Sequence, residues 1–356
     1  MTKILNSHGR RVAVLCAVLL TAAALRAADL PAEPEKLTSA EAVDAYLAVA
    51  EDAEQTPARR NYAAMQIIRR GKKALPRIVE LYPVGSVERR GLLADVLGAM
   101  KDPGEDATKL LLDDLKKHGL RVHPNVMRAL GEMNVTDAAD VMVVLLPKAS
   151  GETRRVMLAA LGRLADARAA DAFFTGLESS DRLLRMTCAD AVTRLLARIK
   201  PRTRAVKKDH PYRKVLDRTL EVIRDGTHVD ARRFLITGMS RVRDPQASRT
   251  LIHMLRNREN SLRVAAADTL GKLKEQDAVD DLIGLTKSSN DTLRRAALRA
   301  LGTIGDDDCV PRLIDRMEEV TAKERRDILV ALRQITGERF GDNPDQWRRW
   351  WDKKGI

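Results

Sequence analysis

A leucine–glycine step recurs along this sequence at a near-constant interval, and it constrains the fold more than any other feature. Gly98, Gly162, Gly271 and Gly302 each follow a leucine at the same point of four similar segments: VERRGLLADVLGAMKDP, ETRRVMLAALGRLADAR, SLRVAAADTLGKLKEQD and TLRRAALRALGTIGDDD. The same register catches Ile67, Gly131, Thr193, Ser240 and Arg333, with successive spacings of 31, 33, 31, 31, 47, 31, 31 and 31 residues. A fixed period of this size marks a stack of supersecondary units, each unable to bury its apolar face alone.

The columns of the repeat have physical meaning. Four residues before the anchor stand Ala94, Met127, Leu158, Ala189, Ile236, Ala267, Leu298 and Leu329; one before it stand Leu97, Leu130, Leu161, Val192, Met239, Leu270, Leu301 and Leu332. A spacing of three keeps both columns on one helix face. A second amphipathic segment follows each, as in DATKLLLDDL or DAVDDLIGLT, after a turn marked by Asp102, Asp166, Asp244, Glu275 or Asp306. These acids read as helix-start signals. Aromatic residues make up only 3% of the chain, which favours helices packed through small aliphatic side chains over a sheet core. The expected fold is therefore all-α: an α-solenoid of about nine helical pairs, spanning 55–196 and 214–340.

The ends read as caps. Residues 28–54 form a linker and a helix with a capping signal at Thr38 or Ser39. Residues 341–356 hold all three tryptophans, Trp347, Trp350 and Trp351, on one face of a short helix opened by Asn343 and Pro344. A solenoid end needs such a cover; an aromatic ligand platform is the other reading.

Eight residues before the anchor, arginine stands in eight of nine repeats: Arg59, Arg90, Arg154, Arg185, Arg232, Arg263, Arg294 and Arg325, with His123 the exception. This column and the leucine–glycine pair resemble the HEAT-like repeats named after phycobilin lyases and found in bacterial scaffold proteins. The Trp-rich ending resembles the tails of secreted bacterial HEAT-repeat proteins. The resemblance covers roughly residues 55–340. It implies that the arginines tie neighbouring repeats together by hydrogen bonds at the turn between helices; a ladder of arginines for an anionic ligand is the alternative.

The N-terminus places Lys3, Arg10 and Arg11 before an apolar run from Val12 to Leu25, with small residues at Ala27 and Ala28. That is the layout of a secretory signal peptide over residues 1–27, cleaved near Ala27. The run is shorter than the roughly 20 residues a membrane-spanning helix needs, so an uncleaved anchor is the lesser reading. Leu15, where a small residue should precede a lipidated cysteine, argues against lipidation of Cys16. Cleavage would lower the formal charge from +13 to +9 and place the chain in the periplasm or outside the cell. It would leave Cys188 and Cys309, about four repeats apart, too distant for a bridge whose Cα separation is limited to about 7 Å.

One segment breaks the period. The 47-residue interval carries an insertion over 197–213, and between Arg194 and Arg218 ten basic residues face only Asp209 and Asp217. Pro201 and Pro211 mark it as a loop. Its candidate anion- or partner-binding residues are Lys200, Arg202, Arg204, Lys207, Lys208, Arg213 and Lys214. Insertions in solenoids map to one face, and basic loops attract anionic partners; a solvated loop is the plain alternative, and Tyr212 alone offers stacking.

Enzymatic signatures are missing from the sequence. The six histidines are scattered, with no HExxH, no zinc spacing and no His-Glu step of the kind that binds iron in the hydroxylases built from similar repeats. Asp306, Asp307 and Asp308 lack the alternation of a calcium loop. There is no GxSxG, phosphate-binding loop or dinucleotide fingerprint. The expectation is a non-enzymatic exported scaffold, monomeric and without cofactor, that binds a protein or peptide on its concave surface. An anionic polymer held by the insertion is the alternative, and a lyase-like enzyme a distant third.

Overall fold

The computed structural model describes residues 38–100, 103–199 and 206–354, and among them every regular element is a helix. Two compact units divide the chain, Met1–Leu164 and Ala165–Ile356. In the first, α1 (Ser39–Glu51) precedes α2 (Pro57–Arg70), α3 (Leu75–Leu81), α4 (Val87–Ala99), α5 (Glu105–His118), α6 (Pro124–Glu132), α7 (Asp137–Leu145) and α8 (Gly151–Leu164). The second holds α9 (Ala170–Leu177), α10 (Arg182–Leu196), α11 (Arg213–Asp225), α12 (Val229–Gly238), α13 (Pro245–Met254), α14 (Asn260–Leu273) and α15 (Val279–Leu285). It ends with α16 (Asp291–Ile304), α17 (Val310–Glu319), α18 (Ala322–Thr336) and α19 (Pro344–Lys354). The even-numbered helices are the first helices of the pairs, and α4, α6, α8, α14 and α16 among them carry the leucine–glycine step; the odd-numbered ones from α3 onward are their second helices. The chain is thus an all-α solenoid of helical pairs, as the 31-residue period predicts.

Local chemistry starts and stops these helices. Thr38 accepts from the Glu41 backbone N–H while Glu41 reaches back to the Thr38 N–H, a capping box that opens α1; Thr321 and Glu324 do the same for α18. At the first-helix ends the chain turns left-handed at one column, with φ of 57° at Asn134, 55° at Lys274 and 73° at Gly305. There the Glu275 N–H reaches the Leu270 carbonyl and the Val135 N–H reaches that of Leu130, which closes the helix end.

Within each unit, consecutive first helices pack directly on one another: α6 on α4 and α8, α14 on α12 and α16. The leucine column is wholly buried, with Leu97, Leu130, Leu270, Leu301 and Leu332 at 0% exposure. The glycine after it permits the close approach. A Cβ on Gly98 would lie 2.8 Å from the Cα of Ala129, and one on Gly131 2.8 Å from the Cα of Ala160. The second-helix layer fills the other side of the core with residues such as Leu111, Leu115, Phe173, Leu220, Leu251 and Leu313.

The C-terminal helix α19 packs on α17 and occupies the second-helix place of the last pair. Trp347 is fully buried, donates its Nε1–H to the Gly341 carbonyl at 2.9 Å, and meets Phe340 edge to face at 5.1 Å. Lys354 Nζ stands over the rings of Trp350 and Trp351 at 5.3 and 5.6 Å. Cys188 and Cys309 are both buried, and burial pushes the Cys309 thiol up to about 12. Residues 1–27, read in the sequence as a signal peptide, lie outside the described residues.

Candidate partner-binding face

The repeat arginines turn inward to the backbone. Arg154 donates to the Leu146 carbonyl, Arg232 to those of Ile223 and Arg224, Arg263 to Leu255, Arg294 to Ser288 and Arg325 to Met317, at 2.7–3.0 Å. Each of these carbonyls belongs to the end of the preceding second helix or the turn after it. Helix ends leave their last carbonyls unsatisfied and carry partial negative charge, so a guanidinium there both donates and neutralises. Arg185 donates to Ser179 and Ser180 carbonyls and also grips Asp230 of the next first helix at 3.0 Å. That hydrogen bond holds the Asp230 carboxyl below its usual range. Arg90 departs from the pattern and reaches buried Asp114 at 2.7 Å, which also accepts from Tyr82 Oη at 2.7 Å and contacts His118 Nδ1 at 2.7 Å. Burial, more than this hydrogen bond, raises the Tyr82 phenol pKa. Arg59 opens the column on α2. His123 caps α6, its Nδ1 accepting from the Asn125 N–H, and burial lowers its pKa.

The inserted segment is partly built into the fold. Arg213, counted with the loop cations in the sequence, is the first residue of α11. It bonds Asp217, Gln246, the Val206 carbonyl and, at 3.0 Å, buried Asp244. Asp244 also accepts from the Val206 N–H at 2.9 Å, so Arg213 and Asp244 clamp the returning chain instead of offering charge to a ligand. The hydrogen bond to Asp217 raises the Arg213 pKa further. Arg218 is likewise engaged, with Asp171 at 2.6 Å and the Phe174 ring at 4.7 Å. Lys207, Lys208 and Lys214 are exposed. Lys200, Arg202 and Arg204 lie outside the described residues.

Three of the helix-start acids act as caps. Asp166, Asp244 and Asp306 each accept a backbone N–H at the start of the following helical turn. Glu275 instead accepts from the Ser248 hydroxyl, and Asp102 lies outside the described residues. Among the described residues, no group of three or more His, Cys, Asp or Glu side chains is disposed to hold a metal ion, and no helix is long and apolar enough to cross a membrane.

The face made by the first helices carries an ion-pair ladder between successive repeats. In the first unit Arg128 pairs with Asp95 at 3.3 Å and Arg163 with Glu132 at 3.5 Å. In the second, Arg299 pairs with Asp268 and Arg295 with Asp327, both at 2.9 Å. Helix α12 interrupts it: Thr237 stands in the column that holds Asp95, Asp190 and Asp268 in other repeats. Around it, α10, α12, α14 and the start of α16 line a groove of about 780 Å³, its walls including Leu196, Phe234, Arg233, Arg241, Val264 and Asp268. Arg233 and Arg241 are exposed, and among the described residues neither has an acidic partner. The sequence reading passed over this groove.

A family model of HEAT repeats matches residues 216–291 and 251–333, the stretch in which Arg232, Arg263, Arg294 and Arg325 recur at a constant interval of 31 residues. Over this stretch the chain is built of HEAT-like repeats. No curated protein matches the chain by sequence. Among solved structures, Kap95p bound to RanGDP is 12% identical over 93% of this chain and 49% of that one, with a TM-score of 0.55. The chain therefore spans about half of Kap95p, and the likeness is one of fold. An engineered protein is 16% identical, covering 89% of both chains with a TM-score of 0.48. The CpcE–CpcF complex of phycocyanin lyase from Nostoc sp. PCC7120 is 18% identical over 69% of this chain and 94% of that one, with a TM-score of 0.34.

Proposed function

We propose that this chain is an exported, non-catalytic scaffold that binds a protein or peptide partner on the face formed by its first helices. The observation that carries the proposal is the groove across α10, α12 and α14, which combines an apolar floor at Phe234 and Val264 with two arginines that lack acidic partners. Peptide sites are built from such pairings of apolar area with a few fixed polar groups. A photo-cross-linking residue at Thr237, compared with one at Asp280 on a second helix, tests it in the native host. A discrete adduct from Thr237 alone is expected; equal labelling from both positions, or none from Thr237, rejects it. Export is tested separately by sequencing the N-terminus of the mature protein, which should begin at Ala28. An intact N-terminus in the membrane fraction would replace cleavage by anchoring.

A second reading, an anionic polymer held by the inserted segment, draws support from Lys207, Lys208 and Lys214, exposed and unpaired among the described residues. Binding of labelled nucleic acid and acidic polysaccharide across a salt series addresses it. Steeply salt-dependent binding, lost when Lys200, Arg202, Arg204, Lys207 and Lys208 become Ser, is the expected outcome of that reading. Binding that ignores salt removes it.

A further inference from the structure

We infer that the groove on the second unit takes an acidic, leucine-bearing peptide segment of a partner protein. Its carboxylates would be held by Arg233 and Arg241, its apolar side chains seated over Phe234 and Val264. The inference rests on the scaffold reading and adds the partner's chemistry to it.

Charge bookkeeping along the first-helix face leads to this ligand class. Where Arg299 and Arg295 project from α16, Asp268 and Asp327 of neighbouring repeats neutralise them. On α10, Arg194 is matched within its own helix by Asp190 at 2.8 Å. On α12 Thr237 stands where α10 has Asp190, and Arg233 and Arg241 are left without a carboxylate at the edge of the groove. Asp268, the acid on the groove wall, is occupied by Arg299 and does not compete for them. A guanidinium presents a planar fork that matches a carboxylate, and hydrogen bonds between ionised partners are roughly twice as strong as neutral ones.

The apolar part of the groove decides between acidic ligands. Phe234 and Val264 are half-buried, and Leu196 and Val242 close the floor beneath them. A polysaccharide or nucleic-acid backbone brings charge but no aliphatic side chain to cover that floor, whereas a peptide brings both. First helices packed about 10 Å apart make a groove crossing three of them some 20–30 Å long. At about 3.3 Å per residue, an extended segment of six to nine residues spans it.

The test uses the full chain and three fluorescein-labelled peptides of about twelve residues: glutamate alternating with leucine, lysine alternating with leucine, and glutamate alternating with alanine. Wild type should bind the glutamate–leucine peptide roughly tenfold or more tighter than either of the others. Arg233→Ser with Arg241→Ser should lose that preference. Arg233→Glu with Arg241→Glu should invert it toward the lysine–leucine peptide, a gain that misfolding cannot mimic. Equal binding of all three peptides by wild type overturns the inference, as does a double serine variant that keeps its preference. Loss that follows Lys207→Ser with Lys208→Ser, with competition by an oligonucleotide, overturns it in favour of the polymer. A Thr237 cross-link to a partner segment free of Asp and Glu sinks the acidic specificity while the scaffold reading stands; no cross-link at Thr237 sinks both.

Discussion

A Cβ added to Gly271 would meet the Cα of Ala300 at 2.8 Å and its Cβ at 3.1 Å. The two residues lie on successive first helices, and the glycine is what allows α14 and α16 to approach backbone to backbone. Gly98 and Gly131 stand in the same relation to Ala129 and Ala160. At α10 and α12 the sizes are exchanged: Thr193 takes the glycine position, and the facing residue is Gly238, whose added Cβ would lie 2.6 Å from Thr193 Oγ1.

These pairs predict a coupled response to substitution. Gly271→Ala should destabilise by about 1–3 kcal/mol, because the obstacle is backbone and a packed interior cannot give way cheaply. Gly238→Ala should cost a similar amount in the native background and far less when Thr193 is Gly. A double-mutant cycle by urea denaturation reads the coupling, expected to be about 1 kcal/mol or more; additive effects would mean the two residues do not oppose each other.

Lys274 occupies the left-handed column that Gly305 fills two helices later, with φ of 55° and 73° respectively. A side chain in that conformation costs about 1–2 kcal/mol. Lys274→Gly should therefore raise stability by about 0.5–1 kcal/mol, and Gly305→Ala should lower it by at least as much. Thermal unfolding of both variants checks the sign.

Asp114 is buried and ties Tyr82 and Arg90 together through one carboxylate. Tyr82→Phe removes one hydrogen bond and should cost about 1 kcal/mol. Asp114→Ala strands the Arg90 guanidinium, which is only 17% exposed, and should cost about 3 kcal/mol or more. Urea midpoints in the reverse order would refute this ranking.

Asp95 gives the first unit a pH dependence. Partial burial on the first-helix face, with Glu132 nearby, pushes its carboxyl from the ordinary 3.8 up to about 6, against the pull of Arg128. The folded chain then binds more protons than the unfolded chain between these two values, so this group's contribution to stability falls as pH rises through the window. Asp95→Asn should flatten that part of the profile. The difference in unfolding free energy between wild type and variant, measured from pH 4 to pH 7, carries the test; parallel curves would remove Asp95 as the cause.

Much of the architecture was legible because it depends on neighbours in the chain. Thr38 and Glu41 form their capping box within one helical turn, and Asn343 caps α19 through the Asp345 N–H at 2.9 Å. The leucine column appears buried in the sequence because a spacing of three already puts it on one helix face. Arg213 shows the opposite case. In the sequence it belongs to a run of cations, and only the return of α13 brings Asp244 and Gln246 to it from 31 and 33 residues away. The groove stayed hidden for the same reason: whether Arg233 has a partner depends on what the next repeat places opposite it.

The sequence by itself determined that this chain is built of helical pairs and which of their faces is apolar, since both follow from periodicity within a few residues. Tertiary structure alone decided which glycines serve close packing, which arginines are consumed by helix ends and ion pairs, and which two remain open over an apolar groove. Those outcomes depend on residues one whole repeat apart, and it is the stacking of helix on helix that brings them within reach of one another.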